Sequence, residues 1–266
     1  MLKIATWNVN SVRQRIGNLT DWLRSAAPDI VCLQEIKCMD EAFPASEIEA
    51  LGYNVAVHGQ KTFNGVAILS RLPLDEVTRG LPGDEEDLQA RYIEAVVSVE
   101  GRALRVASIY LPNGNPTGTE KYSYKLAWME RLRQHAATLL TYEEPLVLAG
   151  DYNVIPEARD AKNPEAWLGD ALFLPQTRAS FRSLLSLGLT EALRATTDAG
   201  RLYTFWDYQA GAWQRDNGIR IDHLLLSPQA ADLLHQVGID KDERAREKPS
   251  DHVPVWIELA LDAPGR

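Results

Sequence analysis

Cysteine is nearly absent from this 266-residue chain, which has only Cys32 and Cys38. So few cysteines exclude a disulfide framework and point to a reducing compartment. With no further thiolate available, the pair cannot complete a thiolate-rich metal site. Missing too is any apolar run near the ~20 residues that a membrane-spanning helix needs. Met1-Leu2-Lys3-Ile4 enters a strand-like segment at once, with no secretory leader ahead of it. The expectation is a cytoplasmic protein with no membrane partner. Positive charge is in deficit: 28 Lys and Arg against 37 Asp and Glu leave a formal charge of −9. That argues weakly against a nucleic-acid partner, although carboxylates gathered around a cation are compatible with a basic rim. There is no internal repeat, low-complexity tract or linker, and the length suits one domain over residues 1–266.

What is present is organised around Ala149-Gly150-Asp151-Tyr152-Asn153. The apolar run Pro145-Leu146-Val147-Leu148 before it reads as a buried strand, and Gly150 frees the backbone to turn. Asp151 and Asn153 lie two apart, so in an extended segment they face one space. A carboxylate there can take a proton or bind a cation, and an amide can donate to a phosphoryl oxygen. Taken alone, the pentapeptide reads first as an Asx-type turn closing a strand.

Around it the pattern predicts strands over 2–9, 29–35, 53–57, 65–70, 91–100, 102–110, 219–226 and 253–259, with a hairpin at Glu100-Gly101. Helices are expected over 18–27, 46–51, 119–141 and 175–187, and the aromatic stretch 203–213 reads as strand plus turn. The segment 160–169 is irregular. Strands outnumber helices and several neighbours can pair antiparallel. That predicts an α/β protein of two stacked sheets with helices outside.

Polar residues collect where strands end: Asn8 and Asn10, Glu35 and Lys37, Tyr110, Asp151 and Asn153. Asp222 sits in an otherwise apolar strand, and Asp251-His252 precedes the last one. Each alone has a bland explanation as a solvated strand end or a locally paired group. Together they suit metal-assisted phosphoryl chemistry, because Mg²⁺ prefers one or two carboxylates plus water and substrate oxygens. Glu35 with help from Asn8 fits that demand, and a His beside a carboxylate can stabilise phosphoryl charge or move a proton. A Ser-His-Asp hydrolase is disfavoured because no Gly-x-Ser-x-Gly elbow occurs.

Motifs in this order resemble the exonuclease III family of apurinic/apyrimidinic (AP) endonucleases, within the endonuclease/exonuclease/phosphatase superfamily. The matching pieces are Trp7-Asn8-Val9-Asn10, Leu33-Gln34-Glu35-Ile36-Lys37, Tyr110-Leu111-Pro112-Asn113, Gly150-Asp151-Tyr152-Asn153, Thr204-Phe205-Trp206-Asp207-Tyr208, Arg220-Ile221-Asp222 and Ser250-Asp251-His252-Val253-Pro254. The resemblance implies a DNase I-like four-layer α/β/β/α sandwich of two mainly antiparallel sheets flanked by helices. It implies a monomer with Mg²⁺ or Mn²⁺ as cofactor, held mainly by Glu35 with Asn8 nearby. Asp151, Asn153, Asp251 and His252 are further candidates around the metal. Asp151 would activate or position the attacking water with Asn153 helping, Tyr110 and His252 would bind the phosphate, and Asp222 would orient His252.

The implied substrate is double-stranded DNA, abasic or 3′-blocked, cut to leave a 3′-hydroxyl and a 5′-phosphate. Phe205, Ile219 and Ile221 match positions lining the family's abasic-sugar pocket, where core packing is the plain alternative. DNA-backbone contacts are expected from Arg13, Lys37, Arg91, Asn113, Asn115, Lys121 and Lys125, with a solvated side chain as the plain alternative for each basic residue. His58, His135, His223 and His235 are read as structural. The segment 156–171 departs from the family pattern and, following Asp151-Tyr152-Asn153, bears on the balance between exonuclease and AP-endonuclease work. Two other readings stay open: a superfamily relative acting on RNA tails or inositol and lipid phosphates, and a non-catalytic DNA-binding module.

Overall fold

The computed structural model describes residues 1–99 and 101–261. In chain order the elements are β1 (Leu2–Asn8), α1 (Ile16–Ala26), β2 (Ile30–Gln34), α2 (Ala45–Glu49), β3 (Asn54–His58), β4 (Val66–Ser70), β5 (Glu76–Arg79), β6 (Tyr92–Val99) and β7 (Arg102–Tyr110). There follow α3 (Glu120–Leu140), β8 (Leu146–Asp151), α4 (Pro175–Leu185), β9 (Thr190–Glu191), α5 (Ala192–Thr196), β10 (Asp222–Leu226), α6 (Pro228–Ala231), β11 (Leu234–Ile239) and β12 (Val255–Leu259). They form two six-stranded sheets, ordered β11-β12-β1-β2-β4-β3 and β5-β6-β7-β8-β10-β9. Each has one parallel pair near its middle, β1 with β2 and β7 with β8, and antiparallel pairing elsewhere.

The period-2 alternation of each strand sorts side chains into layers. Leu2 and Ile4 of β1, Cys32 of β2, Val106 of β7, Val147 and Ala149 of β8 and Leu224 of β10 fill the space between the sheets. Ala5, Trp7, Val31 and Leu33 point the other way, onto Leu19, Trp22 and Leu23 of α1. Leu146 and Leu148 pack with Trp128, Met129 and Leu132 of α3 and Phe181 of α4. Four layers follow from this.

Near one end of the sandwich the inward positions change from apolar to polar. Thr6 and Gln34 bond each other, and Gln34 donates to Ser108 Oγ across the sheets at 3.0 Å. Beyond this belt the next inward positions are Asn8 on β1, Tyr110 on β7, Asp151 on β8 and Asp222 on β10. The functional end is the polar continuation of the inter-sheet core.

Several boundaries differ from expectation for physical reasons. The edge strands β5 and β11 are missing from the sequence reading because their side chains are largely exposed and carry little apolar alternation. The stretch 203–213 is a loop whose Phe205 bridges both Ile219 and His252. The strand expected over 219–226 begins only at Asp222, with Ile219 in that separate bridge. The last strand starts at Val255, since Pro254 has no N–H to give a ladder and Val253 N bonds Thr204 O instead. Of the expected hairpin at Glu100-Gly101, Glu100 lies outside the described residues, while Val99 and Arg102 pair on either side of it. Gly150 lies inside β8, and its need is lateral: a Cβ there would stand 2.0 Å from Ile109 O on β7.

Candidate active site

Sheet register assembles half of the site. Tyr110 stands beside Asp151 across the parallel β7–β8 pair, and Asp151 beside Asp222 across β8–β10. Glu35 comes from the facing sheet, one residue past β2, and His252 from the approach to β12. Ligand atoms of Glu35, Asp151 and His252 lie within 4.8 Å of one another. Several strand exits here adopt the left-handed region: Asn10 (φ 42°), Glu35 (φ 50°), Lys37 (φ 54°) and Asn153 (φ 47°). Such conformations are unfavourable for non-glycine residues and concentrate where a side chain must be aimed.

Hydrogen bonds fix the group. Asn8 Nδ2 donates to Glu35 Oε1 and to Asp151 Oδ2, both at 2.9 Å, bridging the two carboxylates. Its own oxygen accepts from Asn10 N, so in this arrangement Asn8 ties the carboxylates together. Tyr110 Oη donates to Glu35 Oε1 at 2.9 Å, and Lys37 Nζ lies 2.8 Å from Glu35 Oε2. Asp151 Oδ1 accepts from Asn153 N at 3.0 Å, an Asx-type closure. The Asx-type turn expected of the pentapeptide is therefore present, and it leaves Asp151 Oδ2 facing Asn8 and His252. His252 Nδ1 donates to Asp222 Oδ2 at 2.9 Å, and Thr204 Oγ1 donates to the same oxygen at 2.6 Å. That leaves His252 Nε2 facing Asp151 Oδ2, 3.6 Å away.

Burial and charge then set protonation. His252 is 4% exposed. Burial alone would disfavour its cation, but Asp222 and Asp151 outweigh this and hold it protonated well above the usual imidazole range. Burial raises Asp151 out of the ordinary carboxylate range, opposed by His252 and reinforced by Asp222. Glu35 feels burial upward, yet Lys37 and the Asn8 bond bring it below its usual value. Asp151 and His252 lie close enough to titrate as a pair.

A cavity of about 280 Å³ opens over these groups, lined by Glu35, Tyr110, Asp151, Asp251, His252 and, on its apolar side, Phe205, Ile219 and Ile221. Asn113, Asn115 and Asn153 line it as well. A larger open groove of about 820 Å³ lies between the β3 and β5 edges, but its only charged lining residues are Glu49 and Arg79. The converging ionisable groups border the smaller one. Asp251 borders it and accepts from Asn10 Nδ2 at 3.2 Å. Asn153 donates to Leu111 O at 2.9 Å, and its oxygen accepts from Asn113 Nδ2 at 3.3 Å.

Of the residues expected to contact DNA, Arg13, Asn113 and Lys121 are exposed. Arg91 lies over the Tyr110 ring, 4.9 Å from its centroid. Lys37 turns toward Glu35, and Asn115 is bonded to Asp170. Lys125 is a correction: it is fully buried, and its ammonium donates to Asn153 O at 2.6 Å and Asn113 O at 3.0 Å. Lys121 and Lys125 lie one turn apart on α3, and that turn separates solvent from core. It therefore ties the exit loops of β7 and β8 together from below. Thr204, Ser250 and the Asn10–Tyr208–Arg15 strap were not singled out. Ser250 Oγ bonds Asn8 O at 2.7 Å and accepts from His252 N. Tyr208 joins Asn10 and Arg15 over the rim. Short polar side chains bonded to backbone leave no periodic signal, so only their place inside the quoted motifs could have flagged them.

The arrangement can be compared with known proteins. The model of the Endonuclease/Exonuclease/phosphatase family matches residues 5–252. Exodeoxyribonuclease III of Haemophilus influenzae is 37% identical, covering 97% of this chain and 100% of its own. DNA repair nuclease APEX1 of Danio rerio is 33% identical, over 98% of this chain and 83% of its own. Among solved structures, the 3′ phosphatase NExo from Neisseria, bound to a product DNA hairpin, superposes with TM-score 0.94 at 40% identity, covering 97% of this chain and 99% of that one. An AP endonuclease from Archaeoglobus fulgidus gives TM-score 0.93 at 37% identity, covering 98% and 100%. Match, fold and strand-end constellation agree, and the chain belongs to the Endonuclease/Exonuclease/phosphatase family, within its exonuclease III group.

Proposed function

We propose that this chain is a DNA repair nuclease of the exodeoxyribonuclease III type. It hydrolyses phosphodiesters of double-stranded DNA 5′ to abasic sites, at 3′ ends, or both, and leaves a 3′-hydroxyl and a 5′-phosphate. The observation that carries this is the meeting of Glu35, Asp151 and His252 within 4.8 Å at the floor of one cavity. The site is complete within one chain, and we take the protein to act on DNA as a monomer in the cytoplasm.

Asp222 holds Nδ1–H of His252, so Nε2–H is aimed at the cavity. As a cation there, His252 donates to a phosphoryl oxygen where charge builds, while Tyr110, whose hydroxyl donates to Glu35 Oε1, holds that carboxylate at the cavity wall. Asp151, lifted by burial, is basic enough near neutral pH to take the proton of an attacking water. The water oxygen bonds to phosphorus as its proton passes to Asp151, the bond to the 3′ oxygen breaks, and that oxygen takes a proton from solvent water as it leaves. The donor set around Glu35 fits a hard divalent cation: carboxylate oxygens converge, and Glu35 already pairs with the ammonium of Lys37. Mg²⁺ or Mn²⁺ held mainly by Glu35, with Asn8 nearby, would supply charge to offset that on the phosphoryl oxygens. His252, kept protonated by two carboxylates, serves as a donor beside the cation.

The test is a duplex with one internal abasic site, incubated with Mg²⁺ and compared with an RNA tail and an inositol phosphate. Internal nicking or end resection of the DNA is expected, with Glu35→Ala and Asp151→Asn inactive. Full activity in either variant refutes the assignment.

A further inference from the structure

A second cavity, also of about 280 Å³, adjoins the first. Trp167, Phe205, Asp207 and Ile219 line both, so the two share a wall. Ala210, Ala212, Gln209 and Asn217 complete the second. At ~30 Å³ per water it has room for about nine waters, enough for one planar base.

The order of groups along this wall matches the order of groups in a nucleotide. His252 faces the phosphate position, and the Phe205 ring lies against it with centroids 5.0 Å apart. Phe205 pairs through its backbone with both His252 and Ile219, so the wall is fixed to the reacting group. Phe205, Ile219 and Ile221 present an apolar surface suited to a sugar. Trp167 packs against that same apolar cluster and lines both cavities. Beyond it Gln209, Asn217 and Asp207 offer amides and a carboxylate to the edge of a flat polar ring. An aromatic face beside hydrogen-bonding side chains is how proteins hold an unstacked base without demanding its identity.

We propose that this second cavity is a nucleobase subsite, which receives the base of the 3′-terminal nucleotide while its phosphodiester sits at His252. The proposal rests on the nuclease reading above. It makes the first cavity a sugar site that suffices for a baseless residue, and the second the site that lets the enzyme remove an intact nucleotide. Trp167 belongs to the irregular segment 156–171, so the departure from the family pattern acquires a role in choosing the substrate.

The experiment measures kcat/KM on two otherwise identical duplexes, one ending in a normal 3′ nucleotide and the other in the same residue without its base. The readout is the ratio of the two values. Ala212→Leu fills the second cavity from a buried position, and Trp167→Ala removes the stacking face. Each should lower the ratio of based to baseless end by about tenfold, the scale of one lost base–aromatic stack. Loss of folded protein scales both rates alike and leaves the ratio untouched. A ratio unchanged in both variants overturns the subsite even where both rates fall. A wild-type protein that cuts neither duplex overturns the nuclease reading itself, which is a different result.

Discussion

Two buried charge clusters lie back to back on β10, reached by adjacent residues. Asp222 points between the sheets to His252, and His223 points outward to Arg220. On the outward side Arg220 Nε bonds Asp160 Oδ1 at 2.8 Å, Arg220 Nη1 lies 3.0 Å from Glu191 Oε1, and Arg194 also bonds Asp160. Two guanidinium groups face two carboxylates there. On the inward side Glu35, Asp151, Asp222 and Asp251 outnumber His252 and Lys37. The first cluster is closed and balanced; the second borders a cavity and has negative charge to spare. The histidines differ accordingly. Arg220 can only donate, so His223 Nδ1 accepts and its Nε2–H goes to Val154 O at 3.0 Å. His252 has the opposite arrangement, with Nδ1–H on Asp222 and Nε2 toward the cavity. A histidine beside acids is thus not a site in itself; surplus charge and open space make it one.

Asp222→Asn should break the comparison on the inward side. It keeps the shape but removes the charge that orients and protonates His252. Cleavage should fall about 10²–10⁴-fold, with a Tm close to wild type. A protein that lost its Tm and kept its turnover would assign Asp222 to the structural class.

On the outward side the largest effect is on stability. Arg220→Leu leaves the buried Glu191 without its guanidinium and Asp160 with Arg194 alone, and removing one partner of such a buried pair costs about 3–5 kcal/mol. Denaturant melts should show that loss, while kcat per folded molecule stays within about twofold of wild type by the additivity expected of separate sites. Unaltered stability would mean the cluster is not load-sharing at all.

Acid should distinguish the clusters more gently. Burial pushes Glu191 up, but Arg220 outweighs it and brings its pKa down to about 2. The folded value lies below the unfolded value, so this stabilisation is complete above the unfolded pKa and is lost as pH falls toward the folded one. Between pH 4.5 and about 2 the wild type should lose stability of order 3 kcal/mol from this residue. Glu191→Gln should flatten that window. An identical acid melt for both proteins would remove Glu191 from the balance.

How much of this was legible in the sequence follows from the same contrast. Asp222 stood out because an acid in an apolar strand is rare, and its partner His252 because the motif order paired them. Glu35, Asp151 and Tyr110 were visible because strand alternation brings them to one face at one end. The outward cluster was invisible. Asp160, Glu191 and Arg220 are 31 and 29 residues apart in sequence, and their pairing depends on how the irregular segment 156–171 folds onto β9 and β10. Lys125 was misplaced for a related reason, since helical spacing tells which residues share a line but not which line meets a neighbouring loop. Edge strands β5 and β11 escaped because the residues that do pack inward, Val77 on β5 and Leu234, Val237 and Ile239 on β11, are too few or too interrupted by the bulge at Leu234/Gln236 to read as an alternating run.

The smallest expected effect is the most discriminating, because it concerns the residue next to Asp222. His223 is fully buried and lies 5.1 Å from Phe181 and 5.7 Å from Tyr152 between ring centroids, on the α3–α4 side of the sheet. His223→Leu keeps most of its packing, leaves Arg220 its two carboxylates, and deprives Val154 O of one donor. A buried acceptor without a partner costs about 1–3 kcal/mol, here reduced toward the lower figure by the added apolar contact. Turnover should not change, since β10 still carries Asp222 inward and its two hydrogen bonds to His252 do not pass through His223. A loss of cleavage comparable with that of Asp222→Asn would show that the two faces of the strand are coupled, and the division between a structural and a chemical cluster would have to be abandoned.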